Sequence, residues 1–200
     1  MVFLKNGPAF GETLSVFGEK VWLRPPNSFD YAAWAELRAR SRDHLVPWEP
    51  KWSRDELSRP SFRRRLRHYQ RELREDLGYA FFIYRRADDA LVGGVTLSNV
   101  RRGVAQTASL GYWMGEPYVR RGYMSDAVAA ATQFAFAEIN LHRVEAACLQ
   151  NNFASQKVLE RNGFVREGLA RKYLKINGAW QDHLLFALLV DEHESGEGST

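Results

Sequence analysis

The stretch Gly111-Tyr-Trp-Met-Gly-Glu-Pro-Tyr-Val-Arg-Arg-Gly-Tyr-Met-Ser125 carries the residue types that an anion site needs. Its beginning reads as the end of a strand near Met114, and its end as the start of a helix near Gly122. Gly122 lets the backbone pass close to a ligand. The first amides of a helix have no partner within it and, with the helix dipole, attract negative charge. Arg120 and Arg121 add cations at the same place, so a pyrophosphate fits this turn. A second segment, Asn152-Phe-Ala-Ser155, sits between a strand and a helix and offers an amide and a hydroxyl. Other phosphate and nucleophile patterns are absent from the sequence. It has no run of three spaced glycines after a strand, no Lys-Ser or Lys-Thr pair after a glycine-rich loop, no nucleophile elbow, and no histidine pair at zinc spacing. With a single cysteine, Cys148, no disulfide framework or cysteine zinc cluster can form.

These segments need strands and helices to hold them. Glu19 to Pro25 alternates and reads as a strand. Asp30 is a candidate cap for a helix running to about Arg42, followed by a loop with two prolines, Leu45 to Pro50. Phe62, Leu66, Tyr69, Leu73 and Leu77 recur at helical spacing. Tyr79 to Arg85 and Leu91 to Leu97 read as a hairpin turning at Asp88-Asp89, and Thr107 to Met114 as a third strand after a turn at Gly103. A helix rich in alanine runs to about Ile139, His142 to Leu149 is a strand, and Ala154 to Arg161 a helix closed by Asn162-Gly163. Two final strands turn at Asn177-Gly178, a pair suited to a type I′ turn. The order predicts a mixed α/β fold. Its sheet has about seven strands, is mostly antiparallel, and carries one strand–helix–strand crossover at its centre, with helices flanking it. Three parts are expected: an N-terminal arm over 1–18, one domain over 19–190 and an acidic flexible tail over 191–200.

The chain has 200 residues, 45% hydrophobic and 26% charged, as a globular protein does. Its net charge is +4. Lys51 to Asp76 alone holds nine basic residues against five acids. The Arg-rich helix over 54–75 therefore reads either as a solvated face or as a contact for a polyanion such as RNA. The most apolar stretch, His183 to Val190, is far short of the roughly 20 residues a spanning helix needs. No signal-peptide block is seen, so the cytoplasm is the expected location.

Together, the Arg-Arg-Gly-Tyr-Met turn, the Asn-x-x-Ser segment and the Asn162-Gly-Phe164 ending resemble the GCN5-related N-acetyltransferases (GNAT). The likeness covers roughly Glu19 to Val190 and implies a twisted central sheet whose strand–helix–strand crossover is splayed. Pro47-Trp-Glu-Pro50, Ser98-Asn-Val-Arg-Arg-Gly103, His142-Arg143 and Gly178-Ala-Trp-Gln-Asp-His183 are similar to the branch that acetylates N-terminal amines of ribosomal proteins, nearest to the ribosomal-protein-alanine enzymes. The resemblance implies acetyl-CoA as co-substrate and no metal. It also implies that Arg120, Arg121, Gly122, Tyr123, Met124 and Ser125 hold the pyrophosphate. Trp113 and Met114 would pair by backbone with the pantetheine arm, and Asn152 would bind CoA. Ser155 is the candidate proton donor to the leaving thiolate, and Glu49 the candidate for recognising or deprotonating the amine. Val119 and Met124 depart from common family residues. Ser109 stands where many relatives carry a glutamate that can serve as base.

The chemistry is direct attack of a neutral amine on a thioester in a ternary complex. An α-amine with a pKa near 7.7–8.0 is about 10–15% neutral at pH 7, whereas a lysine is neutral to roughly 0.04%. An N-terminal acceptor therefore needs only modest help from a base. Three readings follow. The first is an N-acetyltransferase of a protein N-terminal amine, alanine above all. The second is a GNAT enzyme of a small-molecule amine. The third is a non-catalytic ribosome- or RNA-binding module.

Overall fold

The computed structural model describes residues 14–192. The expected arm over 1–18 and tail over 191–200 fall mostly outside them. An eight-stranded sheet runs in the order β1-β2-β3-β4-β5-β6-β8-β7. Its strands are β1 (Val16–Phe17), β2 (Val21–Arg24), β3 (Tyr79–Arg85), β4 (Leu91–Arg101), β5 (Thr107–Met114), β6 (Arg143–Leu149), β7 (Val165–Ile176) and β8 (Ala179–Leu189). The strand beyond the expected number is β1, from the segment read as arm, with Val16 opposite Leu23.

Pairing is antiparallel except between β5 and β6, which run parallel. Their register ends at Leu110↔Ala146. Beyond it β5 stays on β4, with Thr96↔Gly111 and Gly94↔Trp113, while β6 stays on β8, with Leu149↔His183. The edge of β5 from Gly111 to Met114 is thus open toward β6, as the splayed crossover requires.

Helices cover both faces. The α4 helix (Tyr123–Ala137) joins β5 to β6, and α5 (Phe153–Arg161) follows β6. Ala127, Val128, Ala131 and Phe134 of α4 pack with Phe81, Val95, Leu110, Val144 and Phe186 in the larger core. Alanines there let the helix sit close to the strands. On the other face lie α1 (Tyr31–Arg40) and α3 (Arg59–Arg74), whose Trp34, Leu37, Phe62 and Leu66 pack on Phe82, Tyr84 and Leu91. Residues alternate across a strand. Leu110, Tyr112 and Met114 of β5 accordingly join the α4 core, and Gly111 and Trp113 face the α1/α3 side.

Three local readings are corrected. Leu45 to Pro50 is mainly helical: α2 (Arg42–Leu45) leads into a 3-10 turn at Val46–Trp48, with Pro47 in the first turn, where its fixed φ and missing N–H cost nothing. Asp30 gives α1 no side-chain cap. Its buried carboxylate instead accepts from Arg24 (2.8 and 2.5 Å), the Tyr84 hydroxyl (2.8 Å) and the Asn27 amide (2.7 Å). The α3 helix ends at Arg74, capped at its start by Ser58, so Leu77 lies beyond it. The other punctuation is as read: Gly163 (φ 78°) closes α5, and Asn177 and Gly178 (φ 44° and 86°) both take the positive φ of a type I′ turn.

Candidate active site

The turn before α4 is built for an anion. Arg120 and Gly122 both adopt left-handed φ, 61° and 82°. Gly122 is the N-cap, and no side chain caps the helix. Among the described residues the amides of Tyr123, Met124 and Ser125 find no acceptor, the first intrahelical bond being Asp126 N to Gly122 O (3.0 Å). Met124 is buried in the α4 core, so it offers this turn its backbone and not its thioether. The Ser125 hydroxyl accepts from Asn162 Nδ2 at 3.1 Å, tying the turn to the end of α5.

Two residues missed in the sequence complete the turn. A β-carbon placed on Gly122 would come within 3.3 Å of the Lys20 ammonium, so Lys20 lies over the turn beside Arg120 and Arg121. Asp126, in the first turn of α4, accepts from the backbone amides of Glu19, Lys20 and Val21 at 3.0, 2.8 and 3.0 Å. This carboxylate fastens the start of α4 to β2. Both residues belong to contacts that span more than 100 positions, and no local motif signals them.

At the other side of the splay, Asn152 caps α5, its side-chain oxygen accepting from the Ser155 amide at 3.1 Å. That oxygen is therefore engaged within the chain, and its amide nitrogen is the atom left for a ligand. Ser155 Oγ lies 2.8 Å from the Tyr112 hydroxyl of β5. Burial holds the Tyr112 phenol well above its usual range, so it stays protonated as a hydrogen-bond partner. Burial also raises the Cys148 thiol, with the Ser155 hydroxyl opposing the shift. Cys148 is a free, buried cysteine.

Glu49 lies on the opposite face of the sheet. Its carboxylate accepts from Arg38 at 3.1 and 2.5 Å and from the Trp52 indole at 2.7 Å. Arg38 is 5% exposed and is stacked near Trp34, Trp52 and Trp113, with its guanidinium carbon 4.9 Å from the Trp113 ring centre. Three donors on about four lone-pair positions leave Glu49 little room to take a proton from a substrate. It is the anchor of an aromatic and guanidinium wall. That wall bounds a cavity of about 490 Å³ whose floor includes Gly94, Gly111 and Trp113. A β-carbon on Gly111 would touch nothing within 4 Å, so this floor faces open space. The cavity wall also holds Arg65 and Glu56, paired at 2.6 Å. The structure thus separates the two residues proposed as catalytic: Ser155 stands on the α5 side, while Glu49 roofs the α1/α3 side.

The family model of the acetyltransferase (GNAT) domain matches residues 20–165. The chain belongs to this family. It is 36% identical over 177 residues to the probable N-acetyltransferase YjcK of Bacillus subtilis, covering 88% of this chain and 98% of that one. It is 31% identical over 169 residues to the [ribosomal protein uS5]-alanine N-acetyltransferase of Escherichia coli, covering 84% and 87%. Among solved structures, Mycobacterium smegmatis RimJ in complex with CoA-disulfide superposes with a TM-score of 0.86 at 33% identity, covering 90% of each chain. The chain is therefore an acetyltransferase, and the reading as a non-catalytic module is set aside.

Four of the nine basic residues in the 51–76 stretch are engaged inside the chain, Arg71 by a hydrogen bond to His68 at 3.2 Å. Arg64 pairs with Asp55, Arg65 with Glu56, and Arg59 stacks on Tyr31. Nothing in the structure or in these relatives supports an RNA contact there. Among the described residues no helix is long and apolar enough to cross a membrane, and no group of three or more His, Cys, Asp or Glu could hold a metal.

Proposed function

We propose that this enzyme transfers acetyl from acetyl-CoA to the N-terminal α-amine of a protein, with alanine as the first residue and a ribosomal protein as the acceptor class. Acetyl-CoA is the co-substrate. Its pyrophosphate lies on the Arg120–Ser125 turn, its pantetheine arm runs along the open edge at Trp113 and Met114, and the Asn152 amide contacts it. The acceptor enters the cavity over Gly111 on the opposite face. The amine attacks the thioester in the splay, the C–S bond breaks, and Ser155, oriented by Tyr112, protonates the departing thiolate. A thiol pKa near 8.5 makes that a light task.

One observation carries the choice of acceptor. Both carboxylates in the cavity wall already hold guanidinium groups, Glu49 with Arg38 and Glu56 with Arg65. A polyamine or aminoglycoside needs unpaired carboxylates to neutralise its several charges, and this cavity offers none. A peptide N-terminus brings one amine and a short apolar side chain, which suits indole walls and a glycine floor. The E. coli relative, named for the alanine of uS5, supports the same class. A ribosomal acceptor and a reduced Cys148 both fit the cytoplasm.

The test is release of free CoA thiol with a panel of acceptors. Peptides beginning with Ala should turn over well above spermidine and an aminoglycoside. Preference for either small amine would move the assignment to the second reading.

A further inference from the structure

His183 is a pinned imidazole that the reaction as described so far leaves unused. It is 2% exposed. Its Nδ1 lies 3.0 Å from the backbone carbonyl oxygen of Gln181. A carbonyl can only accept, so Nδ1 carries a proton, and in the neutral ring this leaves the lone pair on Nε2. No donor reaches Nε2 among the described residues. The buried side-chain polar atoms without a partner are Nε of Arg38 and Nε of Arg65, and Nε2 is not one of them, so it borders accessible space.

The position matters as much as the tautomer. His183 is opposite Leu149, three residues past the last β5–β6 pair at Ala146. It therefore stands where the two central strands have parted. Its neighbours Leu184 and Phe186 point into the α4 core, so His183 faces the other way, on the side of Gly111 and Trp113. The hairpin that carries it is tied to the cavity roof, Asn177 N donating to Glu49 O at 2.9 Å. The Tyr173 ring meets the imidazole edge-on at 5.8 Å.

We propose that His183 is the general base for the acceptor amine, taking its proton at Nε2 through a bridging water, since the imidazole does not itself line the cavity over Gly111. The proposal rests on the site being an amine acetyltransferase. As the nitrogen lone pair forms the C–N bond and the C–S bond breaks, the amine proton passes to Nε2 and gives an imidazolium. The thiolate gains its proton through Ser155, and solvent restores both groups. This supplies the base that Ser109 does not provide and that Glu49, held by three donors, is poorly placed to be. The titratable groups around the ring are few. Tyr173 packs on it from β7. Asp182 precedes it on β8 and accepts from the Lys172 amide at 2.8 Å. Cys148 points from β6 into the opposite core, and Glu49, on the far side of the hairpin tip, is paired with Arg38.

The test compares His183→Gln with wild type, using whichever acceptor the wild type turns over, Ala peptide or small amine. A wrong acceptor assignment then shows in the wild type, and a wrong base shows only in the variant. Gln retains a donor for the Gln181 carbonyl but has no basic nitrogen. Turnover at pH 7 should fall about 10²-fold, the low end for loss of a general base because the α-amine is already partly neutral, with acetyl-CoA affinity within twofold. The acidic limb of kcat/KM should vanish, and the deficit should shrink toward pH 9, where the amine supplies itself neutral. A rate within threefold of wild type with the acidic limb intact overturns the proposal. If the variant does not fold, ¹⁵N-histidine NMR of the wild type decides. One imidazole should show the Nδ1–H tautomer and titrate at the kinetic midpoint, and a mismatch there overturns the proposal equally.

Discussion

The Tyr112 hydroxyl of β5 and the Ser155 hydroxyl of α5 sit 2.8 Å apart across the opening between the central strands. In the proposed mechanism this contact orients Ser155 as the proton donor to the leaving thiolate. Ser155→Ala should lower kcat by about 100-fold, the low end of general-acid effects, with acetyl-CoA affinity unchanged. Tyr112→Phe should lower it less, and the double variant should be no slower than Ser155→Ala alone. Additive losses would mean that the two hydroxyls act separately.

Glu49 predicts a different pattern. Glu49→Gln leaves the Arg38 guanidinium, with 6% side-chain exposure, short of its counter-charge. Removing one partner of such a pair costs about 2–4 kcal/mol. Melting temperature should fall and acceptor KM should rise, while the acidic limb of the pH profile stays. Disappearance of that limb would instead make Glu49 the base.

The pyrophosphate turn is tied, through Asp126, to a segment far from it in sequence, Glu19 to Val21. Asp126→Ala removes one carboxylate that three backbone amides share, at a cost of about 2–3 kcal/mol. It should also weaken acetyl-CoA binding, since Lys20 is released from the turn. Gly122→Ala, forced to φ 82°, should cost about 1–2 kcal/mol and also weaken binding. Calorimetric titration with acetyl-CoA and a thermal melt check both. Unchanged affinity in both variants would move the pyrophosphate elsewhere.

Alkaline pH should loosen the fold. Burial is the main cause that holds Tyr79, Tyr84 and Tyr112 above the ordinary phenol range. Unfolded, all three ionise near pH 10, while the folded chain keeps them neutral. Their stabilising contribution is therefore full below about pH 10 and declines as pH rises beyond it. Tyr79→Phe should flatten the fall in melting temperature between about pH 9 and pH 11 relative to wild type. Parallel slopes would contradict this.

What the sequence made legible was local. The Arg120–Ser125 turn, the helix end at Asn162-Gly163 and the Asn177-Gly178 hairpin each occupy a few consecutive residues, and their backbone demands are written in those residues. A crossover helix between two β runs implies parallel strands, while their parting follows only from the family resemblance. What stayed hidden depends on chain segments meeting. Lys20 over Gly122, Asp126 on the β2 amides, Tyr112 on Ser155 and Arg38 on Glu49 have no sequence spacing that marks them. Asp30 was misread because its own segment, Asn27 to Asp30, is a capping box one turn earlier, with Asn27 as the cap. Glu49 shows the same limit: a carboxylate in a proline-flanked loop looks available until its donors are seen.

The central claim is acetyl transfer to a protein N-terminal amine. The most direct measurement incubates the enzyme and acetyl-CoA with a peptide that begins with alanine and carries one internal lysine, then maps the product by mass spectrometry. One acetyl group on the α-amine, and none on a peptide with a blocked N-terminus, is the predicted result. Acetyl on the lysine, or no acetylated peptide while a small amine is consumed, would contradict it.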